Sequence, residues 1–583
     1  MKLLAGIIAL FCVCSALIYG QSLRNGFVSL DDNYLIYENP VITRITPKTV
    51  GHALTSYDPE LYAPLTTVSY QLDYQIGGLE PFWYHAQNLF WHTLNALLVA
   101  WILWLLTGSA PASIILGLLF LAHPQNTEAV AWASGRKDVL STFFFLSSLI
   151  AYLRYREANW QAAYGVSIAL FFLGLLAKVL VITLPAVLLL LDWREGRRLS
   201  RHVFVEKTPY VILSLAFGVI ALFGKQNALV VSTISQKILM AFKSTWFTLE
   251  TFVWPLHLSV LYPYGGTVAM SSADFLLPIA GVALLCALAV FALRWSKQPA
   301  FSLAFFFVTL SPTFINFAKG NEIYMGSDRY GYIPMVGLLV LIGCTIVAVR
   351  QRSSSYATGL TCLFAALTVL AGAESFVQAK SWQSNETLFT AALRNSPDSL
   401  TARNNLGMEY LSQGKNDLAL QQFNALLEKK TWPITLVNRG LLHFREGDLS
   451  LAVADYTKAM QLDPLYYDAY YELGNVAYRQ ANYVDAAKLY TKASELNPQY
   501  GNALNNLGAT YLQLNQLDKA ADTFKKLLAV NPLFTQAYYN IAVIDEQTGK
   551  LKEAGEMYQQ ALDLNPGDAD AQAGLARVRA AQR

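Results

Sequence analysis

Residues 467–500 read YDAYYELGNVAYRQANYVDAAKLYTKASELNPQY, and this stretch recurs in outline about every 34 residues along the last third of the chain. Prolines stand at Pro464, Pro498, Pro532 and Pro566, and glycines at Gly407, Gly440, Gly474 and Gly508, with Ala542 in the next place. Ala419, Ala452, Ala486, Ala520 and Ala554 keep the same phase, and so do Phe423, Tyr456, Tyr490, Phe524 and Tyr558. Small residues let two antiparallel helices approach closely, the aromatic ring fills the space between them, and the proline stops the second helix. Such a pair cannot bury its apolar face alone and must stack on its neighbours. The pattern predicts an α-solenoid of five helix pairs. A half-unit (Trp382, Phe389, Ala392, Pro397) precedes them, and a polar last helix over 568–583 closes the stack.

The period is that of a tetratricopeptide repeat, whose usual use is as a binding surface. Two residues before each glycine position stand Asn405, Asn438, Asn506 and Asn540, with Glu472 in the middle unit. An Asn amide offers both a donor and an acceptor, so a row of them on a concave face would pair with the main chain of an extended acceptor peptide. The competing reading is that these amides only order the helix pairs.

Moving toward the N-terminus, the composition changes. The whole chain of 583 residues is 54% hydrophobic and 14% charged. Soluble domains are about 25% charged, so a single soluble globule is excluded. The net charge of +3 lacks the strong basic excess of a nucleic-acid binder. The excess of base lies before residue 380 and the excess of acid after it, and long apolar runs fill the first part. We therefore expect an all-α chain: an integral-membrane helix bundle over residues 1–380 and an extracytoplasmic repeat solenoid over 381–583. A span needs about 20 apolar residues. Eleven candidates lie near 4–20, 87–106, 111–122, 139–153, 161–177, 179–191, 209–224, 275–293, 300–317, 331–349 and 357–376. The first reads as an uncleaved span, with a cleaved signal peptide as its alternative.

Arg154, Arg156, Arg194, Arg197, Arg198, Arg201, Arg294, Lys297, Arg350 and Arg352 crowd short loops that would face the cytoplasm. The opposite loops hold most of the acids. Parity requires that 241–262, which contains Lys243, Glu250, Pro255 and His257, not cross fully, and it then puts the C-terminal part outside the cytoplasm. The bilayer expected is a bacterial inner membrane with the repeats in the periplasm, or an endoplasmic reticulum membrane in a eukaryote. All five cysteines lie in apolar runs, so neither a disulfide framework nor a zinc site is expected. No P-loop and no glycine-rich dinucleotide fingerprint is present, so a nucleotide-sugar domain is not visible.

Ionisable groups at membrane depth are costly and are usually functional. Asp31 and Asp32 follow the first span in NGFVSLDDNYLIYENP, and AHPQNTEAVAWASGRKD carries His123, Glu128, Arg136, Lys137 and Asp138. Lys178 interrupts apolar sequence in GLLAKVLVITLP, and GNEIYMGSDRYGYIP carries Glu322, Asp328 and Arg329. Carboxylates beside cations on one membrane face suit acid–base work on an anionic, membrane-borne substrate.

At these residues the chain resembles the transmembrane and tetratricopeptide-repeat-containing proteins. They are C-type glycosyltransferases that use polyprenyl-phosphate sugars. The resemblance runs through DDNYLIYENP, PLTTVSYQLDYQIGG, PFWYHAQNLFWHTLN, HPQNTEAVAWASGRKDVL, LLAKVLVITLP, VWPLHLSVLYP and SDRYGYIP. The short segment 225–272 gives it the look of a bacterial member. The resemblance implies inverting transfer of a sugar, mannose or another hexose, from polyprenyl phosphate to protein Ser/Thr hydroxyls. The family's first-loop acid maps to Asp31 or Asp32 as the catalytic base. Arg136, Lys137, Lys178 and Arg329 are the candidates for holding the donor phosphate. His123 and Glu128 would position the sugar or support its neighbours, and Asp328 would orient Arg329. A metal is not expected, because a clamp of cationic side chains makes one unnecessary. Two other functions stay open at this point: transfer to a lipid or glycan acceptor, and a non-catalytic scaffold that assembles envelope proteins through its repeats.

Overall fold

A computed structural model of the chain describes residues 2–582, except 58–60, 159, 199, 225–231, 316 and 320–321. The fold is all-α, and the one sheet among the described residues is a hairpin pairing Ala318–Lys319 with Glu322–Ile323. The chain forms two compact units, Met1–Ala402 and Arg403–Arg583.

In the first unit seven helices among the described residues are long and apolar enough to cross a membrane. They are Lys2–Arg24, Pro81–Thr107, Arg201–Gly224, Ala273–Ala292, Gln298–Ile315, Pro334–Arg352 and Ser354–Gln383. The protein is an integral membrane protein, and seven of the eleven expected stretches are helices of this kind among the described residues. The other four expected stretches are helical but fall short for physical reasons. Ala110–Ala122 and Gln161–Ala177 have too few residues. Arg136–Ala158 begins with Arg136, Lys137 and Asp138 and ends with Arg154, Arg156 and Glu157, which leaves a short apolar middle. The stretch 179–191 is broken into a 3-10 turn, Val179–Thr183, and a short helix, Leu184–Arg194. Of the segment 225–272, residues 225–231 lie outside the described residues. The helix Ile234–Val253 within it is not among the seven.

One apolar core joins the helices that carry Phe11, Phe120, Phe145, Leu175, Leu188 and Leu339. Polar breaks at its edge build the site. Pro124 biases the residue before it toward extended backbone, and His123 there (φ −71°, ψ 126°) ends the helix Ala110–Ala122. Lys178 is extended (φ −162°, ψ 128°) between Gln161–Ala177 and the 3-10 turn that follows. Between the short helix Thr127–Ala131 and the helix Arg136–Ala158 the chain doubles back at Gly135. A Cβ there would lie 2.4 Å from the Ala129 carbonyl oxygen, so only glycine fits. Gly331 plays the same part where the turn Asp328–Gly331 meets Gln125: a Cβ would lie 2.6 Å from that side chain.

The first unit extends beyond the expected boundary at 380/381. Trp382 stacks on Trp132 with ring centroids 6.0 Å apart, and Ala379, Trp382 and Leu388 share an apolar cluster with Tyr19, Val28 and Trp132. The half-unit before the repeats, helix Asn385–Asn395, therefore packs with the membrane unit.

In the second unit the helices pair as the repeat predicts, for example Tyr467–Arg479 with Tyr483–Leu496 and Gly501–Gln513 with Leu517–Val530. A Cβ at Gly474 would lie 2.7 Å from the Tyr490 ring, and Gly407, Gly440 and Gly508 meet Phe423, Tyr456 and Phe524 in the same way. The glycine–aromatic phase read from the sequence is thus the helix–helix contact itself.

Candidate functional site

Asp31 and Asp32 are adjacent in sequence, and the structure gives them opposite surroundings. Asp32 is fully buried. One carboxylate oxygen accepts from the Ser134 N–H at 2.9 Å and from the Ser134 hydroxyl, and the other accepts from the Val28 N–H at 2.8 Å. Burial pushes its carboxyl up to about 6 against the pull of these hydrogen bonds. Asp32 is a strut that ties the loop after the first helix to the turn Ala133–Gly135. The Asp31 side chain is 36% exposed and accepts from Lys137 Nζ at 2.7 Å. Of the pair, Asp31 is the one whose side chain is exposed.

Lys137, Lys178 and Arg329 gather around this acid. Lys178 donates to Asp138 Oδ1, and Arg329 Nε stands 4.0 Å from Asp138 Oδ2. Lys137 Nζ and the Arg329 guanidinium both lie over the Trp132 ring, at 4.9 and 4.8 Å from its centroid. Glu128, buried, accepts from the Arg329 side chain and N–H and from the Ser327 hydroxyl. Glu128 is therefore the residue that orients Arg329. The neighbouring carboxylate holds the Arg329 guanidinium firmly protonated against the cost of its burial.

Three expectations change. Arg136 is fully buried, and its five N–H groups are all taken. They go to Asn88, Ser69, Gln87, Asp73 (2.8 Å) and the Tyr84 carbonyl (2.8 Å). An arginine with no donor left cannot hold a phosphate, so Arg136 is a structural tie and leaves the cation set. His123 is a satisfied loop histidine and not a sugar contact. Its Nδ1 accepts from the Gln125 N–H at 3.3 Å, its Nε2 pairs with the Phe252 carbonyl at 3.0 Å, and its ring stacks on Phe252. Burial lowers it to about 4, so it is neutral. Asp328 does not orient Arg329. It is buried and accepts from the Tyr262 hydroxyl at 2.7 Å. Burial, with the adjacent Glu128 charge, raises it well above the ordinary carboxylate range.

The sequence names Asp138 among the loop charges without giving it a role, and it singles out neither Ser134 nor Trp132. Asp138 was discernible as an acid between two future cation partners. The role of Ser134 depends on a contact across a hundred residues, which no local pattern announces.

In the repeat unit the amide row is partly used up. Asn438 Nδ2 donates to Asn404 at 3.0 Å. Asn506 Nδ2 donates to Asn475 at 3.1 Å and to the Tyr471 hydroxyl at 3.2 Å. Asn540 accepts from Gln536 at 3.2 Å, and Asn405 is half-buried. Asn438 and Asn506 thus stitch successive repeats together, which corrects the picture of four amides held open for a peptide. Beside Asn506 lies a cavity of about 620 Å³ lined by Phe444, Asn475, Tyr478 and Arg479. Among the described residues, His443, Glu446 and Asp448 in this unit form the one group of side chains close enough to share a metal ion.

The family described as tetratricopeptide repeat matches residues 370–432, 437–501 and 505–569. The chain is similar to "Protein O-mannosyl-transferase TMTC1" of Mus musculus, with 35% identity over 26% of this chain and 17% of that protein. It is similar to "Protein O-mannosyl-transferase tmtc2" of Xenopus laevis, with 44% identity over 16% of this chain and 11% of that protein. It is also similar to "Protein O-mannosyl-transferase TMTC3" of Homo sapiens, with 24% identity over 70% of this chain and 49% of that protein. These are the proteins that the loop motifs resemble. In each case the match covers less than half of the relative's length.

Proposed function

We propose that the protein is an inverting glycosyltransferase. In this reading it moves a hexose such as mannose from a polyprenyl phosphate to Ser/Thr hydroxyls of a protein held by the repeats. The observation that carries the reading is the network around Trp132: a half-exposed Asp31 joined at 2.7 Å to Lys137, with Arg329 over the same ring and Lys178 joined to it through Asp138.

The chemistry asks for these groups. A Ser/Thr hydroxyl is a weak nucleophile, and a carboxylate must take its proton as the new C–O bond forms. Asp31 takes that proton. The bond that breaks joins the sugar's anomeric carbon to the phosphate, and its electron pair leaves on the phosphate oxygen. The added negative charge is met by Lys137, Lys178 and Arg329. A single displacement inverts the anomeric centre, and the chain has no need of a metal or nucleotide for any step. The donor reaches the site through the bilayer, on the non-cytoplasmic face. The relatives' names support a protein acceptor, and the repeats supply a surface to hold one.

The test is mass spectrometry of membrane and secreted proteins from cells with and without this gene product. The expected result is a hexose mass on particular Ser/Thr peptides that disappears on deletion. Expression of the wild-type chain should restore it, and Asp31→Asn should not. Full restoration by Asp31→Asn would refute the mechanism.

A further inference from the structure

We propose that Trp132 belongs to the donor-phosphate cradle and that its indole N–H donates a hydrogen bond to a phosphate oxygen of the lipid donor. The inference rests on the glycosyltransferase reading above and names a residue which that reading does not use.

Trp132 is 2% exposed, and its Nε1–H finds no acceptor among the described residues. A buried indole N–H is normally paired. Arg329 Nε, whose guanidinium lies over the same ring, likewise makes no hydrogen bond among the described residues, with Asp138 Oδ2 4.0 Å away. Two orphaned donors on touching residues, with Lys137 Nζ beside them at 4.9 Å from the ring centroid, describe a site for an anionic oxygen.

The ring's surroundings exclude the usual alternative. Tryptophan in a sugar-handling site ordinarily offers a face to the sugar. Here Lys137 and Arg329 both lie over the ring, and Trp382 is stacked against it at 6.0 Å with an interplanar angle of 27°. With two cations over the ring, a second indole stacked on it and only 2% of the residue exposed, no face is open to a hexose. The polar atom of the ring is Nε1, on its edge, and it is buried without a partner among the described residues. The same stacking sets the two cations relative to each other, since an ammonium and a guanidinium held over one indole cannot drift independently. A phosphodiester has two unesterified oxygens, and the cradle would present them with an ammonium, a guanidinium edge and an indole edge.

The experiment uses the full-length protein in detergent, with farnesyl phosphate as the probe and farnesol as the control without phosphate. Binding is measured for the wild type, Trp132→Phe and Trp132→His. The protein is also labelled with ¹⁵N at its indoles. The expected result is farnesyl phosphate binding at least tenfold weaker in Trp132→Phe, with partial recovery in Trp132→His, which restores a ring N–H. Farnesol binding should be equal in all three. In the wild type, the indole resonance missing from Trp132→Phe should shift on adding farnesyl phosphate and not on adding farnesol. Equal farnesyl phosphate binding by wild type and Trp132→Phe, or an unmoved Trp132 resonance, would overturn this inference and leave the glycosyltransferase reading standing. Failure of the wild type to prefer farnesyl phosphate to farnesol would overturn both. Should Trp132→Phe fail to fold, the resonance is assigned with Trp132→His and the wild-type shift decides.

Discussion

Replacing each member of the Asp31–Asp32 pair separates base from strut. A general base contributes about 10²–10⁴ in rate, which is roughly 3–5 kcal/mol of barrier, so Asp31→Asn should lower kcat by that factor with little change in stability. Asp32 makes no contact that would place it on a substrate. In Asp32→Asn the amide oxygen can keep the two bonds from Ser134, but the NH₂ then faces the Val28 N–H. Losing a hydrogen bond to a charged group costs about 1.5–3 kcal/mol. Against this, the raised Asp32 carboxyl, from its ordinary 3.8 to about 6, corresponds to a burial cost of about 3 kcal/mol at neutral pH, which the neutral amide removes. The two nearly cancel, so the variant should fold. Its kcat should fall by up to about 10²-fold, the cost of moving Asp31 by about 1 Å. Chemical rescue sharpens the distinction. External formate should restore transfer to Asp31→Ala, whose site is half-exposed, and not to Asp32→Ala, whose site is closed. The assay is hexose transfer to an acceptor peptide in proteoliposomes, with and without formate. Rescue of Asp32→Ala but not Asp31→Ala would show that the roles are reversed.

The pH dependence of stability carries a second signature. Because the folded-state Asp32 carboxyl lies above its ordinary 3.8, at about 6, its contribution is greatest below the lower value and is lost as pH rises through the upper one. Thermal melts from pH 4 to 8 should show Asp32→Asn gaining on the wild type as pH rises. Arg136→Met breaks a fully buried ion pair with Asp73, a loss of about 3–5 kcal/mol, so the protein should fail to accumulate. Lys137→Met should accumulate normally and lose transfer, as Western blot and activity together would show. Glu128→Gln removes the charge that orients Arg329, worth about 1.5–3 kcal/mol, and should raise the donor KM roughly 10- to 100-fold with the fold intact. His123→Phe should lower stability by about 1 kcal/mol through the lost bond to the Phe252 carbonyl and leave the donor KM unchanged.

Much of this was present in the one-dimensional pattern. The repeat period fixes the solenoid because each glycine must face an aromatic one helix later: Gly474 and Tyr490 touch in space as their phase requires. The membrane character follows from apolar run length alone, and the loop acids and cations stand out because charge is rare in such sequence. What the pattern could not do is assign partners. Arg136 and Lys137 are neighbours with the same charge, but they leave the helix start in different directions, one into a polar pocket of five acceptors and the other toward Asp31. Asp31 and Asp32 are chemically identical, and only the turn at Ser134 decides which one is consumed as a strut. Sequence fixes which groups are present and their local backbone. Which of them keep a hydrogen-bonding position for a substrate depends on contacts between residues far apart in the chain, and those exist only once the helices have packed.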